Sequence, residues 1–148
     1  MTAQFREKLI YNGEEYGMAA EPLYPYLESK DIKFESTSTA CWRGYYGTWE
    51  IRNNKLFLVD LVAFTEEHKD VRFDYLFHRQ NEVFADWVTE EIRIPRGEML
   101  QYIHMGYASI HEEDLFLNIQ DGILINSRIV DNRSKFVDDE INKFVDDD

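Results

Sequence analysis

From Thr48 to Arg52 polar and apolar positions alternate, and beyond a two-residue break at Asn53-Asn54 a largely apolar run extends from Leu56 to Phe64. Asparagine tolerates positive φ, which both central positions of a type I′ hairpin turn require. Pairing outward from the turn sets Ile51 opposite Leu56 and Trp49 opposite Leu58, so one face of the ribbon is wholly apolar. Thr48, Glu50, Phe57 and Val59 make the other face, which is mixed. A one-residue slip would turn Trp49 and Ile51 out to water, so the register is well specified. The run Leu56–Phe64 is broken only by Asp60, and a run that apolar reads as a central strand buried on both faces.

The same reading extends outward. Leu9-Ile10-Tyr11 and Glu14-Glu15-Tyr16 flank Asn12-Gly13, a hairpin that pairs Leu9 with Tyr16 and Tyr11 with Glu14. Met1–Lys8 reads as a polar lead-in. Pro22 and Pro25 forbid a regular helix interior between them, so Leu23, Tyr26 and Leu27 cap one end of the core from a turn or short helix. Val71, Phe73, Tyr75, Leu76 and Phe77 fit neither period and predict a short helix or irregular chain. Asn81 caps a predicted helix to about Glu90, with Val83, Phe84, Trp87 and Val88 as its apolar stripe. Ile92 and Ile94 predict a strand, Pro95-Arg96-Gly97 a turn, and Met99–His104 a returning strand. Ser109–Asp114 is a polar interruption. Leu115–Ile125 predicts a hairpin closed by a three-residue loop, Gln120-Asp121-Gly122, with Leu115, Leu117, Ile119, Ile123 and Ile125 on one face.

These elements predict an α+β fold: a mostly antiparallel twisted sheet or partial β-barrel of about six to eight strands, with about one to three helices packed on it. Residues 1–133 form the expected single domain. Residues 134–148 repeat Lys-Phe-Val-Asp-Asp at 135–139 and 143–147 and read as an acidic C-terminal helix or tail.

Composition narrows the function. A chain of 148 residues with 44% hydrophobic and 15% aromatic content is long enough and apolar enough for one folded domain. Its formal charge of −13 disfavours direct nucleic-acid or anionic-membrane binding and favours a basic protein partner, or mimicry of nucleic acid. A single cysteine, Cys41, allows no internal disulfide and reads as a small buried hydrophobe. No leader and no apolar run of membrane-spanning length is seen, so a cytoplasmic location is expected.

Chemistry-bearing residues are few. Arg43 stands among Trp42, Tyr45, Tyr46 and Trp49, with Gly44 and Gly47 signalling a bulge or close backbone approach. Two readings apply: a structural clamp stacked on a ring and bonded to a carboxylate, or an anchor for an anionic ligand. His104 and the run His111-Glu112-Glu113-Asp114 hold metal-ligand residue types, but their spacing matches no metal motif. Adjacent acids such as Glu66/Glu67, Glu90/Glu91 and Glu112/Glu113 point apart and make no catalytic pair. No nucleophile, phosphate-loop or dinucleotide motif occurs, and no catalytic residue, metal or cofactor is expected. The candidate ligand-binding residues are Arg43, Tyr45, Tyr46, His104, Tyr107 and His111.

The segments TACWRGYYGTWEI, VFADW, EIRIPRGEMLQYIHMGYASI and EEDLFL resemble an uncharacterised group of small acidic bacterial proteins. The resemblance covers roughly residues 9–131. It implies a bacterial cytosolic origin and a peripheral tail, and it brings no activity with it. Three functions are therefore expected: a small acidic interaction protein, like an immunity protein or inhibitor, that engages a basic partner; a small-ligand domain or modest enzyme with an Arg/Tyr/His-lined pocket; or a nucleic-acid mimic.

Overall fold

The computed structural model describes residues 4–36, 41, 43–65, 70–103 and 105–133. The proposed helix over 134–148 lies outside the described residues, as do Trp42 and His104. The fold is α+β, and its strands are β1 (Glu7–Tyr11), β2 (Glu14–Met18), β3 (Tyr45–Arg52), β4 (Lys55–Phe64), β5 (Asp70–Arg72), β6 (Val83–Phe84), β7 (Glu90–Gln101), β8 (Ile110–Gln120) and β9 (Ile123–Asp131). Two short helices, α1 (Tyr24–Ser29) and α2 (Phe73–Leu76), complete the described elements.

The nine strands make one sheet in the order β2-β1-β3-β4-β9-β8-β7, with β5 and β6 also on β4. All pairings are antiparallel except β1 with β3. The sheet does not close into a barrel. Its two ends meet through a backbone bond in which Ala19 N–H donates to Arg93 O at 2.8 Å.

The β3–β4 ribbon follows the expected register, with Ile51 opposite Leu56 and Trp49 opposite Leu58. Asn53 and Asn54 take φ of 51° and 63°. A bulge between Thr48 and Trp49 then shifts the phase, so that Thr48 faces Asp60 and the inward positions of β4 pass from Leu56 and Leu58 to Leu61 and Ala63. Phe57, Val59 and Val62, on the other face, are half-buried rather than buried. The β1–β2 pairing is as expected, but the lead-in is not: Glu7 opens β1 and is fully buried. It shares the inward parity of Leu9.

Four further expectations fail, each for a local reason. Residues 81–90 are not helical. Val83 and Phe84 pair with Leu58 and Phe57, and the Trp87 indole N–H donates to Pro22 O at 2.8 Å. Pro95-Arg96-Gly97 is not a turn. The long strand β7 runs through it and takes a bulge between Arg96 and Met99, and Pro95 is tolerated because β7 ends the sheet path. Ser109–Asp114 does not interrupt the sheet, since β8 starts at Ile110. Finally, the β8–β9 loop is the two-residue turn Asp121-Gly122, with φ of 50° and 79°. A bulge between Asn118 and Ile119 resets the face, so Leu124 rather than Ile123 stands opposite Ile119, and Ile125 is exposed.

The core fills the inner side of the curled sheet. Leu9, Trp49, Leu56, Leu58, Leu61, Ile92, Ile94, Leu117 and Ile119 are among its fully buried side chains, closed over by Leu27, Phe77 and Val88. Each such burial contributes about 1.5–3 kcal/mol.

Candidate functional site

The head of β3 is built around a buried carboxylate. Gly47 has no side chain, and a Cβ there would stand 2.6 Å from Glu7 Oε1 and 2.9 Å from Trp49 Nε1. Into that space Glu7 projects from β1. The Trp49 indole N–H donates to Glu7 Oε1 at 2.8 Å, and Arg43 Nε donates to Glu7 Oε2 at 2.9 Å. The side chains of Arg43 and Glu7 are 5% and 0% exposed. The guanidinium lies 5.5 Å from the centre of the Tyr45 ring. The clamp geometry expected of Arg43 is thus present.

The clamp leaves donors over. Arg43 Nη1 and Nη2 and the Tyr45 hydroxyl are buried and have no hydrogen-bond partner among the described residues. An unpaired buried polar group is costly, more so when charged. Burial raises the Glu7 carboxyl to about 7 from its ordinary 4.5, although Arg43 and the Trp49 N–H pull it down. For Arg43, burial lowers the guanidinium, and Glu7, Tyr107 and Cys41 more than offset this, so it stays charged. Burial, with Glu7 and Glu21 nearby, holds the Tyr45 hydroxyl protonated far above its ordinary range.

Arg43 and Tyr45 line a cavity of about 480 Å³. Its other walls come from α1 and the chain after it. Leu27, Ile32 and Phe34 supply apolar surface, and Glu21, Glu28, Asp31 and Lys33 supply charge. Gly44 holds this wall in place. It adopts φ +73°, and a Cβ on it would stand 2.3 Å from Glu35 O. That approach lets Glu35 N–H donate to Phe64 O at 2.8 Å and Phe64 N–H donate to Gly44 O at 3.0 Å. Phe34 consequently meets Tyr45 edge-on, with ring centres 6.0 Å apart.

The remaining candidates fall elsewhere. Tyr46 has opposite strand parity to Tyr45 and faces away, opposite Val62. His104 lies outside the described residues. Tyr107 and His111 line a second cavity of about 140 Å³ with Arg6, Met99 and Ser109. His111 is buried with Nδ1 unpartnered among the described residues, and burial, then Arg6 and Arg93, hold its imidazole below the ordinary value. Tyr107 joins the two cavities, because its hydroxyl donates to Glu21 Oε1 at 3.1 Å.

The acids beside His111 are spoken for: Glu112 pairs with Arg133, Glu113 with Arg96 and Asp114 with Arg93. Among the described residues no group of three or more His, Cys, Asp or Glu side chains is placed to hold a metal ion. Cys41 is buried, with its thiol donating to Tyr45 O at 3.5 Å. No described helix is long and apolar enough to cross a membrane.

Sequence reasoning missed Glu7 and Glu21. The signal for Glu7 was present, since Glu7, Leu9 and Tyr11 alternate along one strand. Glu21 carries no comparable local mark. Comparison with protein-family models, curated proteins and solved structures gives no match to this chain.

Proposed function

We propose that this is a small-ligand-binding domain, with the cavity between α1 and the head of β3 as its site and Arg43 as its anchor. One observation carries the reading: two terminal guanidinium nitrogens, on a side chain 5% exposed, lack partners among the described residues beside a cavity of about 480 Å³. Cavities of about 300–1,000 Å³ with mostly apolar walls and a few convergent polar groups are typical of small-molecule sites. Arg43 Nη1, Nη2 and the Tyr45 hydroxyl are three donor atoms left unpaired among the described residues, on two side chains that line the cavity, and a ligand bearing acceptor oxygens would satisfy them.

Arg43→Ala would not separate anchor from clamp, because removing one partner of a buried ion pair costs about 3–5 kcal/mol whatever its role. Arg43→Lys separates them: it keeps a cation against Glu7 and loses the planar fork. The test is a thermal-shift panel of carboxylates, phosphates, amides and amines on both proteins. At least one oxygen-acceptor ligand should raise the melting temperature of wild type and have little effect on Arg43→Lys. Equal responses in both proteins, or stabilisation by amines alone, would remove Arg43 from the anchor role.

A second reading, an acidic interaction protein, is favoured by the edge of β9. Its ladder to β4 consists of the single pair Lys55 with Ile123, and Ile125 and Ile129 are 52% and 58% exposed. With a formal charge of −13, a basic strand added along that edge is the partner this reading names.

A further inference from the structure

Taking the cavity as a ligand site, the cluster behind Arg43 says what class of ligand it holds and what accompanies binding. We propose that the cavity takes an amphipathic monocarboxylate on the two terminal nitrogens of Arg43, and that Glu7 takes up a proton from solvent as the ligand enters.

Charge count in a dry place decides what Arg43 can hold. Glu7 and Arg43 are in direct contact, with both side chains removed from water. With Glu7 ionised, the pair is neutral, and a second carboxylate on Arg43 would put two anions on one buried cation. With Glu7 protonated, the guanidinium is uncompensated and a ligand carboxylate completes it with two parallel N–H···O bonds. Protonation costs Glu7 little near neutral pH, since burial has already raised its carboxyl to about 7. Arg43 is the only cation that acts on Glu7 among the described residues: the adjacent Arg6 turns to Pro95 O, and Lys33, in the cavity wall, is exposed. The groups that act on Glu7 and Arg43 are Glu21 from the β2–α1 connection, Tyr45 on β3, Tyr107 from the β7–β8 connection and Cys41. Glu21 is an acid, burial holds the Tyr45 and Tyr107 hydroxyls protonated at neutral pH, and Cys41 is a buried thiol that donates to Tyr45 O. On β1 itself the neighbouring Lys8 pairs with Glu15.

The walls give the rest of the ligand. Leu27, Ile32, Phe34 and the Tyr45 ring suit an alkyl or aryl body. Glu28 and Asp31 are exposed at the rim, where water and salt screen them, so they do not exclude one buried negative charge. Lys33 is exposed at the same rim, but with half-buried Glu21 the lining acids outnumber it three to one, which disfavours a second negative charge and selects monocarboxylates over dicarboxylates.

The experiment follows the Glu7 side-chain carbon by carbon-13 NMR through a pH titration, with and without saturating decanoate. Calorimetry runs alongside at pH 8 in two buffers of different ionisation heat. Decanoate should bind one to one and move the Glu7 titration upward. Proton uptake should approach about one per ligand at pH 8, and Kd should weaken by up to about tenfold per pH unit above 7. Glu7→Gln should bind with a Kd that no longer depends on pH in that range. Retained pH dependence in Glu7→Gln would mean that the ligand enters as the neutral acid, and would overturn the role of Glu7. Should Glu7→Gln fail to fold, the carbon-13 titration of wild type decides alone. Decanoate binding with no movement of the Glu7 titration overturns the proton coupling and leaves the cavity reading standing. Binding of decylamine and octanediamine with no binding of decanoate, hexanoate or phenylpropionate overturns the carboxylate class.

Discussion

Glu7 is held in the fold at a cost that its partners only partly offset. Its ionised form accepts from Trp49 and Arg43, yet removal from water still raises its carboxyl from 4.5 to about 7. The folded chain therefore binds this proton more tightly than the unfolded chain does. The stabilising contribution is fully present below pH 4.5 and is lost as pH rises through 7. Relative to Glu7→Gln, wild type should lose on the order of 3 kcal/mol between those limits, a difference that urea denaturation of both proteins at pH 5 and pH 8 would measure. An unchanged difference would place the Glu7 proton elsewhere. Gly47→Ala acts on the same atoms, because the added Cβ would stand 2.6 Å from Glu7 Oε1. It should cost on the order of 1–3 kcal/mol by overpacking, checked by the same denaturation. At this scale the sequence marked Arg43 through the aromatics around it. It hid Glu7 because a lone acid two residues before Leu9 differs from a surface acid only in strand parity. The same parity would have separated Tyr45 from Tyr46.

Bulges explain most of what was and was not legible at the level of elements. Turn residues with a single meaning were read correctly: Asn12-Gly13 and Asn53-Asn54 close the hairpins assigned to them. Gly97 and Gly122 had two meanings. One sits in a bulge of a continuous strand and the other in a tight turn that a nearby bulge compensates. A bulge shifts the inward face by one residue without changing composition, so periodicity alone cannot find it. Likewise Val83, Phe84, Trp87 and Val88 satisfy a helical stripe, but the open edge of β4 and the Pro22 carbonyl claimed them instead. The Asn53-Asn54 turn yields a direct check. Both residues hold positive φ, so alanine at either should cost about 1–2 kcal/mol, and glycine at 54 should cost nothing or stabilise. A loss with Asn54→Gly equal to that with Asn54→Ala would mean that the asparagine side chain, not the backbone, holds the turn.

The whole molecule sets a strong negative field around one buried cation. At a formal charge of −13, self-repulsion opposes compaction, and it is screened over about 10 Å at ~0.1 M salt. The melting temperature should accordingly rise as sodium chloride is added from low to physiological strength, followed by circular dichroism; a fall would show that exposed pairs such as Arg128 with Glu91 outweigh the repulsion. Within that field, depth sets the proposed anchor apart: the exposed rim acids are screened, while Arg43 is not. Calorimetric titration of decanoate at pH 6 into wild type and Arg43→Lys tests this most directly. Decanoate should bind wild type one to one and lose tenfold or more in affinity for the variant, with both proteins folded. Equal affinity in the two, or no heat with wild type at any accessible concentration, would contradict it.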